Sequence, residues 1–146
     1  MLERANVLGA VLTMAFYVLA ILVFVFRLLD RPAYARLAGS VELFLGLPLA
    51  YLLLTATALE RPALYQVQVG LMLAWLIVEL FLDYVLRVPF RDVRWAVIAY
   101  VMLFFAGTGG MLGVAAQAGR AWVMPSVVLF LAMAALAFVQ RAVTGM

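Results

Sequence analysis

The stretch NVLGAVLTMAFYVLAILVFVF, residues 6–26, decides the fold class, because no charged residue separates Arg4 from Arg27. A helix needs about 20 consecutive apolar residues to cross the ~30 Å hydrocarbon core of a bilayer. The stretch is also longer than the ~7–15-residue apolar region of a cleaved signal peptide. We therefore expect a transmembrane helix that is retained in the mature chain.

The rest of the chain has the same character. Of its 146 residues, 70% are hydrophobic and 12% are charged, against roughly 45–50% and 25% in soluble domains. A soluble fold of this length could not bury so much apolar surface, whereas a bilayer is itself apolar. We therefore predict an all-α, multi-pass integral protein of the cell (inner or plasma) membrane, with one domain over residues 1–146.

Short polar connectors divide the sequence into five apolar stretches. The predicted helices cover residues 6–29, 38–59, 62–87, 93–116 and 121–141. Because the connectors are only a few residues long, consecutive helices are expected to be antiparallel neighbours in an up-down bundle of about five helices. Pro48, near the middle of the second stretch, is expected to kink that helix.

The arginines predict the orientation in the membrane. One side carries Arg4, Arg61 and Arg120; the other carries Arg27, Arg31, Arg36, Arg87, Arg91, Arg94 and Arg141. Because cytoplasmic loops are enriched in basic residues, the arginine-rich side is predicted to be cytoplasmic. The N-terminus then faces out and the C-terminus faces in. Polar residues at the opposite helix ends, including Glu60, Arg61 and Gln117, are expected to be solvated.

The composition excludes several kinds of chemistry. The chain contains neither cysteine nor histidine, so thiolate or histidine metal sites and Ser-His or Cys-His nucleophile pairs are excluded. It also has no glycine-rich phosphate-binding loop and no basic patch interleaved with aromatic residues. We predict no cofactor and no nucleic-acid partner. Metal binding and enzymatic activity stay open, although the lack of a nucleophile argues against an enzyme.

One face of the predicted third helix carries the polar residues of greatest interest. Gln68, Met72, Trp75, Glu79, Asp83 and Arg87 follow one another at spacings of three or four residues, which places them on one stripe of a helix. A carboxylate near the middle of a membrane helix costs roughly 2.5–3.5 kcal/mol. This stripe should therefore face protein, a cavity or a partner chain.

Two interpretations of the stripe stay open. In the structural one, the carboxylates hold neighbouring helices together, with Arg27 and Arg87 as charge partners. In the functional one, Glu79, Asp83 and Glu42 form an acidic site for a proton or cation, with Gln68 and Trp75 as further ligand-binding candidates. Carboxylate oxygens suit hard cations or a titrating proton.

The predicted fourth helix contains the glycine-rich run AGTGGMLG, residues 106–113. Gly109 and Gly113 form a GxxxG pair, which allows two helix backbones to approach closely. We predict helix packing at this pair. The alternative is a broken helix whose free carbonyl groups line an ion site.

These features favour a small transporter or channel for a proton, a cation or a small cationic solute, using the intramembrane acidic site. Five helices enclose little space, so we expect a homo-oligomer or partner membrane subunits. An accessory or assembly subunit of a larger membrane complex is the first alternative, and it predicts a bundle without a cavity. A membrane enzyme or binding protein for a lipid or isoprenoid ligand is the second.

Overall fold

The computed structural model describes residues 2–58, 60–81 and 94–144, and the regular structure in these ranges is entirely helical. The helices are α1 (Leu2–Leu28), α2 (Pro32–Phe44), α3 (Gly46–Thr55), α4 (Ala63–Glu79), α5 (Arg94–Ala116) and α6 (Arg120–Thr144). Only Leu45 separates α2 from α3, so the described residues form five helical rods.

Four of these rods are long and apolar enough to cross a bilayer. They cover Arg4–Leu28, Pro32–Thr55, Arg94–Ala116 and Arg120–Val143. Over its described residues, α4 is equally apolar but shorter. The chain is therefore an all-helical, membrane-embedded protein, whereas the fifth span, the up-down order and the orientation stay predictions.

The first helix lies at the centre of the bundle. It packs against α2, α5 and α6, while α4 packs mainly on α5. Its side chains Phe16 and Tyr17 are fully buried, together with Met72 from α4 and Met111 from α5. In contrast, α6 buries little of its surface, as is expected of a helix with one face on α1 and most of its surface toward lipid.

The second rod differs most from its predicted boundaries of 38–59. It begins at Pro32 and ends at Thr55. Proline suits the first turn of a helix because its ring sets the helical φ angle and its missing N–H would have no partner there. The predicted boundary excluded Arg36, yet this residue is helical, and its carbonyl oxygen accepts a hydrogen bond from the hydroxyl of Ser40 (2.9 Å).

The break between α2 and α3 lies one turn before Pro48, which is where the proline ring is expected to disturb the helix. Proline has no N–H to donate to the carbonyl oxygen four residues earlier, which here belongs to Phe44. The backbone N–H of Leu45 still contacts the carbonyl oxygens of Val41 (3.2 Å) and Glu42 (3.1 Å). The rod therefore continues through the break with a locally altered hydrogen-bond pattern.

Three glycines of α5, Gly107, Gly110 and Gly113, lie against α4. A Cβ atom added at Gly107 would lie 3.1 Å from Cα of Met72 and 3.2 Å from the carbonyl oxygen of Leu71. At Gly109 the nearest atom would be in Phe130 of α6, at 3.8 Å. The close backbone contact is thus at Gly107. Within the described residues, Gly109 faces Phe130 of α6 and Gly113 faces the Gln68 side chain of α4, and close packing through both glycines of the GxxxG pair stays a prediction.

The alternative prediction, a helix broken at the glycine run, is wrong, because α5 is continuous from Arg94 to Ala116. Hydrogen bonds from α1 support this segment. The Tyr17 hydroxyl donates to the carbonyl oxygen of Thr108, and the Thr13 hydroxyl contacts the carbonyl oxygens of Gly9 (2.8 Å) and Met111 (3.1 Å). The run is a packing surface.

Candidate functional site

A cavity of about 190 Å³ lies between α1, α2, α4, α5 and α6. Its polar lining consists of Arg27, Glu42, Glu79, Tyr100, Gln140 and Arg141, and we call it the acidic cavity for its two buried glutamates. Arg27 is in the last turn of α1 and Arg141 in the last turn of α6. The acidic cavity is therefore at the arginine-rich end of the bundle.

Two carboxyl groups from different helices face the acidic cavity. Glu42 of α2 is 2% exposed and Glu79 of α4 is 6% exposed. They are close enough to interact electrostatically, and Arg27 also acts on Glu42. Within the described residues, Oε1 of Glu42 is buried and accepts no hydrogen bond. A buried polar atom of this kind needs a partner, and the cavity leaves room for one.

The charges are graded along the acidic cavity. The two glutamates are buried, whereas Arg27 is half-buried and Arg141 is exposed. Arginine side chains commonly extend along apolar surface and keep the guanidinium near water. Among the described residues, the lining is therefore balanced in formal charge, while its buried part is acidic.

Aromatic rings form much of the remaining wall. The Trp75 ring lies 5.0 Å from that of Phe104 and 6.3 Å from that of Tyr100, measured between centroids. Phe24 meets Phe104 edge to face at 6.1 Å. Trp75 is 2% exposed, and its indole Nε1 has no hydrogen-bond partner among the described residues. The wall thus offers ring faces and an unused N–H donor.

Local backbone structure brings Glu42 to this position. It lies in the last turn of α2, just before the break that precedes Pro48. At Gly46 an added Cβ would be 3.4 Å from Cδ1 of Leu76, so the second rod passes close to α4 here. This approach places Glu42 near Glu79, which ends the described part of α4.

The predicted site residues do not all meet in the acidic cavity. Glu42, Glu79, Trp75 and Arg27 line it. Gln68 does not, because it lies about three turns before Glu79 in α4, where its side-chain amide packs against Gly113 of α5. Asp83 and Arg87 lie outside the described residues.

Three polar lining residues were missed from the sequence, namely Tyr100, Gln140 and Arg141. Each lies on a mostly apolar helix, and its polarity was the only feature of the sequence that could have marked it as a site residue. From the sequence, Arg141 contributes only to the predicted orientation, and Tyr100 stands alone in an apolar stretch. Their convergence depends on helix rotation, which the apolar pattern of α5 and α6 does not specify.

The expectation of solvated helix ends on the other side is wrong for Arg61. Its side chain is 8% exposed, and Cζ lies 4.3 Å from the centroid of the Tyr65 ring. A guanidinium over an aromatic face is stabilised by the ring quadrupole. Arg61 therefore belongs to the packed interior at the start of α4.

No family model matches the chain. The comparison with curated proteins gave no match, and no solved structure matches it either. The case for a function therefore depends on the acidic cavity.

Proposed function

We propose that the protein binds and moves a proton, a cation or a small cationic solute through the membrane, using Glu42 and Glu79 in the acidic cavity. The observation that carries this proposal is Oε1 of Glu42, which is buried beside open space and has no hydrogen-bond partner among the described residues. Glu42 lies in a helical rod that is long and apolar enough to cross a bilayer. Ionisable groups in such surroundings are costly, and they commonly mark ion or substrate pathways.

The cavity also favours this proposal over the accessory-subunit alternative. A subunit that used the third-helix stripe only for docking would be expected to fill the space beside Glu79 with side chains. Instead, about 190 Å³ stays open there, enough for several water molecules or a small ligand. We keep a homo-oligomer or a partner membrane subunit as part of the proposal, because five rods enclose little more than one binding site.

Flux into liposomes that contain the purified protein tests the proposal. A concentration gradient of H⁺, Na⁺, K⁺, Mg²⁺ or methylammonium is applied, and uptake is followed with dyes or radiolabel. We expect uptake of at least one of these by the wild type and its loss in Glu79→Gln and Glu42→Gln. These substitutions keep the shape of the side chain and remove its charge.

Glu60→Gln is the matched control, because Glu60 is exposed and does not line the acidic cavity. It should retain wild-type flux. Thermal unfolding of each variant in detergent establishes that it is folded. If uptake is absent from the wild type, or is the same in all four proteins, the transport proposal is wrong and the search moves to partner subunits and lipid ligands.

A further inference from the structure

The side chains that line the acidic cavity indicate which kind of cation it binds, and this inference rests on the proposed function. We propose that it binds an organic cation about the size of one aromatic ring, with an ammonium group on an apolar body. The carboxyl groups of Glu42 and Glu79 pair with the ammonium, and the rings of the wall pack against the body.

Inorganic cations fit the described lining poorly. Na⁺, Mg²⁺ and Ca²⁺ take about six or more oxygen ligands. Within the described ranges, no group of three or more acidic residues is placed to hold a metal ion. The two carboxyl groups face a wall of rings and aliphatic side chains instead.

An ammonium group on an organic body matches both parts of the lining. It donates hydrogen bonds to a carboxylate and is attracted to aromatic faces. Within the part of the chain that the structure describes, Glu42 offers an unused acceptor, Oε1. The ring of Trp75 lies 5.0 Å from that of Phe104 and 6.3 Å from that of Tyr100, and all three residues line the cavity.

Size and charge balance limit the ligand further. An apolar cavity of about 150 Å³ accommodates benzene, so one of about 190 Å³ accommodates a single ring with a short ammonium arm. Arg27 and Arg141 balance the glutamates in number. Because they lie nearer the surface than the buried carboxyl groups, the ammonium is expected at the buried end and any polar or acidic substituent at the arginine end.

Benzylammonium is the probe, and benzyl alcohol is its neutral match in size and shape. Binding is followed by fluorescence in lipid nanodiscs, in a Trp95→Phe, Trp122→Phe background that leaves Trp75 as the only tryptophan. We expect saturable quenching or a spectral shift with benzylammonium and none with benzyl alcohol. In Glu42→Gln the affinity should fall roughly 10- to 150-fold, as for loss of a hydrogen bond to a charged group.

Tyr100 separates the role of the ring from that of the hydroxyl. Tyr100→Leu removes the aromatic face and should weaken benzylammonium binding roughly 2- to 30-fold. Tyr100→Phe keeps the face and should weaken binding less than Tyr100→Leu does. Glu60→Gln, outside the acidic cavity, should also bind normally.

The outcomes distinguish this inference from the proposed function. Equal binding of benzylammonium and benzyl alcohol would show that the charge plays no part and would overturn the inference. If benzylammonium does not bind while H⁺ or K⁺ flux still depends on Glu79, the organic cation is wrong and the transport proposal stands. If the protein neither binds benzylammonium nor shows flux, both the inference and the transport proposal are wrong.

Discussion

At the scale of single residues, hydrogen bonds between side chains and backbone connect α1 to α5. Tyr17 is fully buried, and its hydroxyl donates to the carbonyl oxygen of Thr108 in the middle of α5. Helical carbonyl groups have a second lone pair free for such a bond. In hydrocarbon an unsatisfied hydroxyl would have no water to bond with, so this contact fixes the rotation of α1 against α5.

We predict that Tyr17→Phe lowers the free energy of unfolding by about 1 kcal/mol, the usual net value of one hydrogen bond. Chemical unfolding in mixed micelles measures the change. Tyr51→Phe is the control, since Tyr51 is 51% exposed and should be neutral. Equal effects in the two variants would mean that the Tyr17 hydroxyl contributes nothing specific.

Residue type alone predicted some of the residues that line the acidic cavity. Which other residues line it depends on the rotation of each helix about its axis. Glu42 and Glu79 are conspicuous in apolar stretches, and counting arginines placed them at the same membrane side. Gln68 shares their helical stripe but lies about three turns away, so a common face did not mean a common site. Tyr100 and Arg141 could not be assigned, because the nearly uniform apolarity of α5 and α6 leaves their rotation undetermined.

At the scale of helices, the closest glycine contact between α4 and α5 is at Gly107. The atoms nearest to a Cβ added at Gly107 belong to the main chain of Leu71 and Met72. Main-chain atoms cannot rotate away as a side chain can. The sequence showed four glycines in this run but could not show which of them meets a backbone.

Gly107→Ala should therefore force α4 and α5 apart. We expect a loss of about 1–3 kcal/mol, typical of overpacking, measured as a lower midpoint of unfolding. Gly109→Ala is the matched control in the same helix, because no atom lies closer than 3.8 Å to the added methyl group. A larger loss for Gly109→Ala than for Gly107→Ala would contradict the packing described here.

Pro48 gives a prediction in which stability and function change in opposite directions. Pro48→Ala restores an N–H that can bond to the carbonyl oxygen of Phe44, so α2 and α3 should join into one regular helix. Alanine is favoured over proline by up to about 3 kcal/mol inside a helix, so unfolding should need a higher temperature. Glu42 would then move relative to Glu79, and benzylammonium binding and flux should weaken.

Pro125→Ala provides the control for this effect. Pro125 lies inside α6 and does not line the acidic cavity, so its replacement should raise stability without weakening flux. Flux that is unchanged in both variants would show that the break at Leu45 has no part in positioning Glu42.

At the scale of the whole molecule, the orientation predicted from the arginines can be tested directly because the chain contains no cysteine. Ala33→Cys and Gln117→Cys introduce single thiols at exposed positions on opposite predicted sides. In intact cells, a membrane-impermeant thiol reagent should label Gln117→Cys and leave Ala33→Cys unlabelled until the cells are opened. The reverse pattern would invert the orientation and place the acidic cavity at the outer face.

For the proposed transport, the position of the acidic cavity at one end of the bundle has a consequence for the energy source. A cation that reaches Glu42 from the opposite membrane surface crosses most of the voltage drop before it binds. Each elementary charge carried through 100 mV gains or loses about 2.3 kcal/mol, close to a fiftyfold change in occupancy. A membrane potential alone would then concentrate a monovalent substrate at this site, without a second coupled ion.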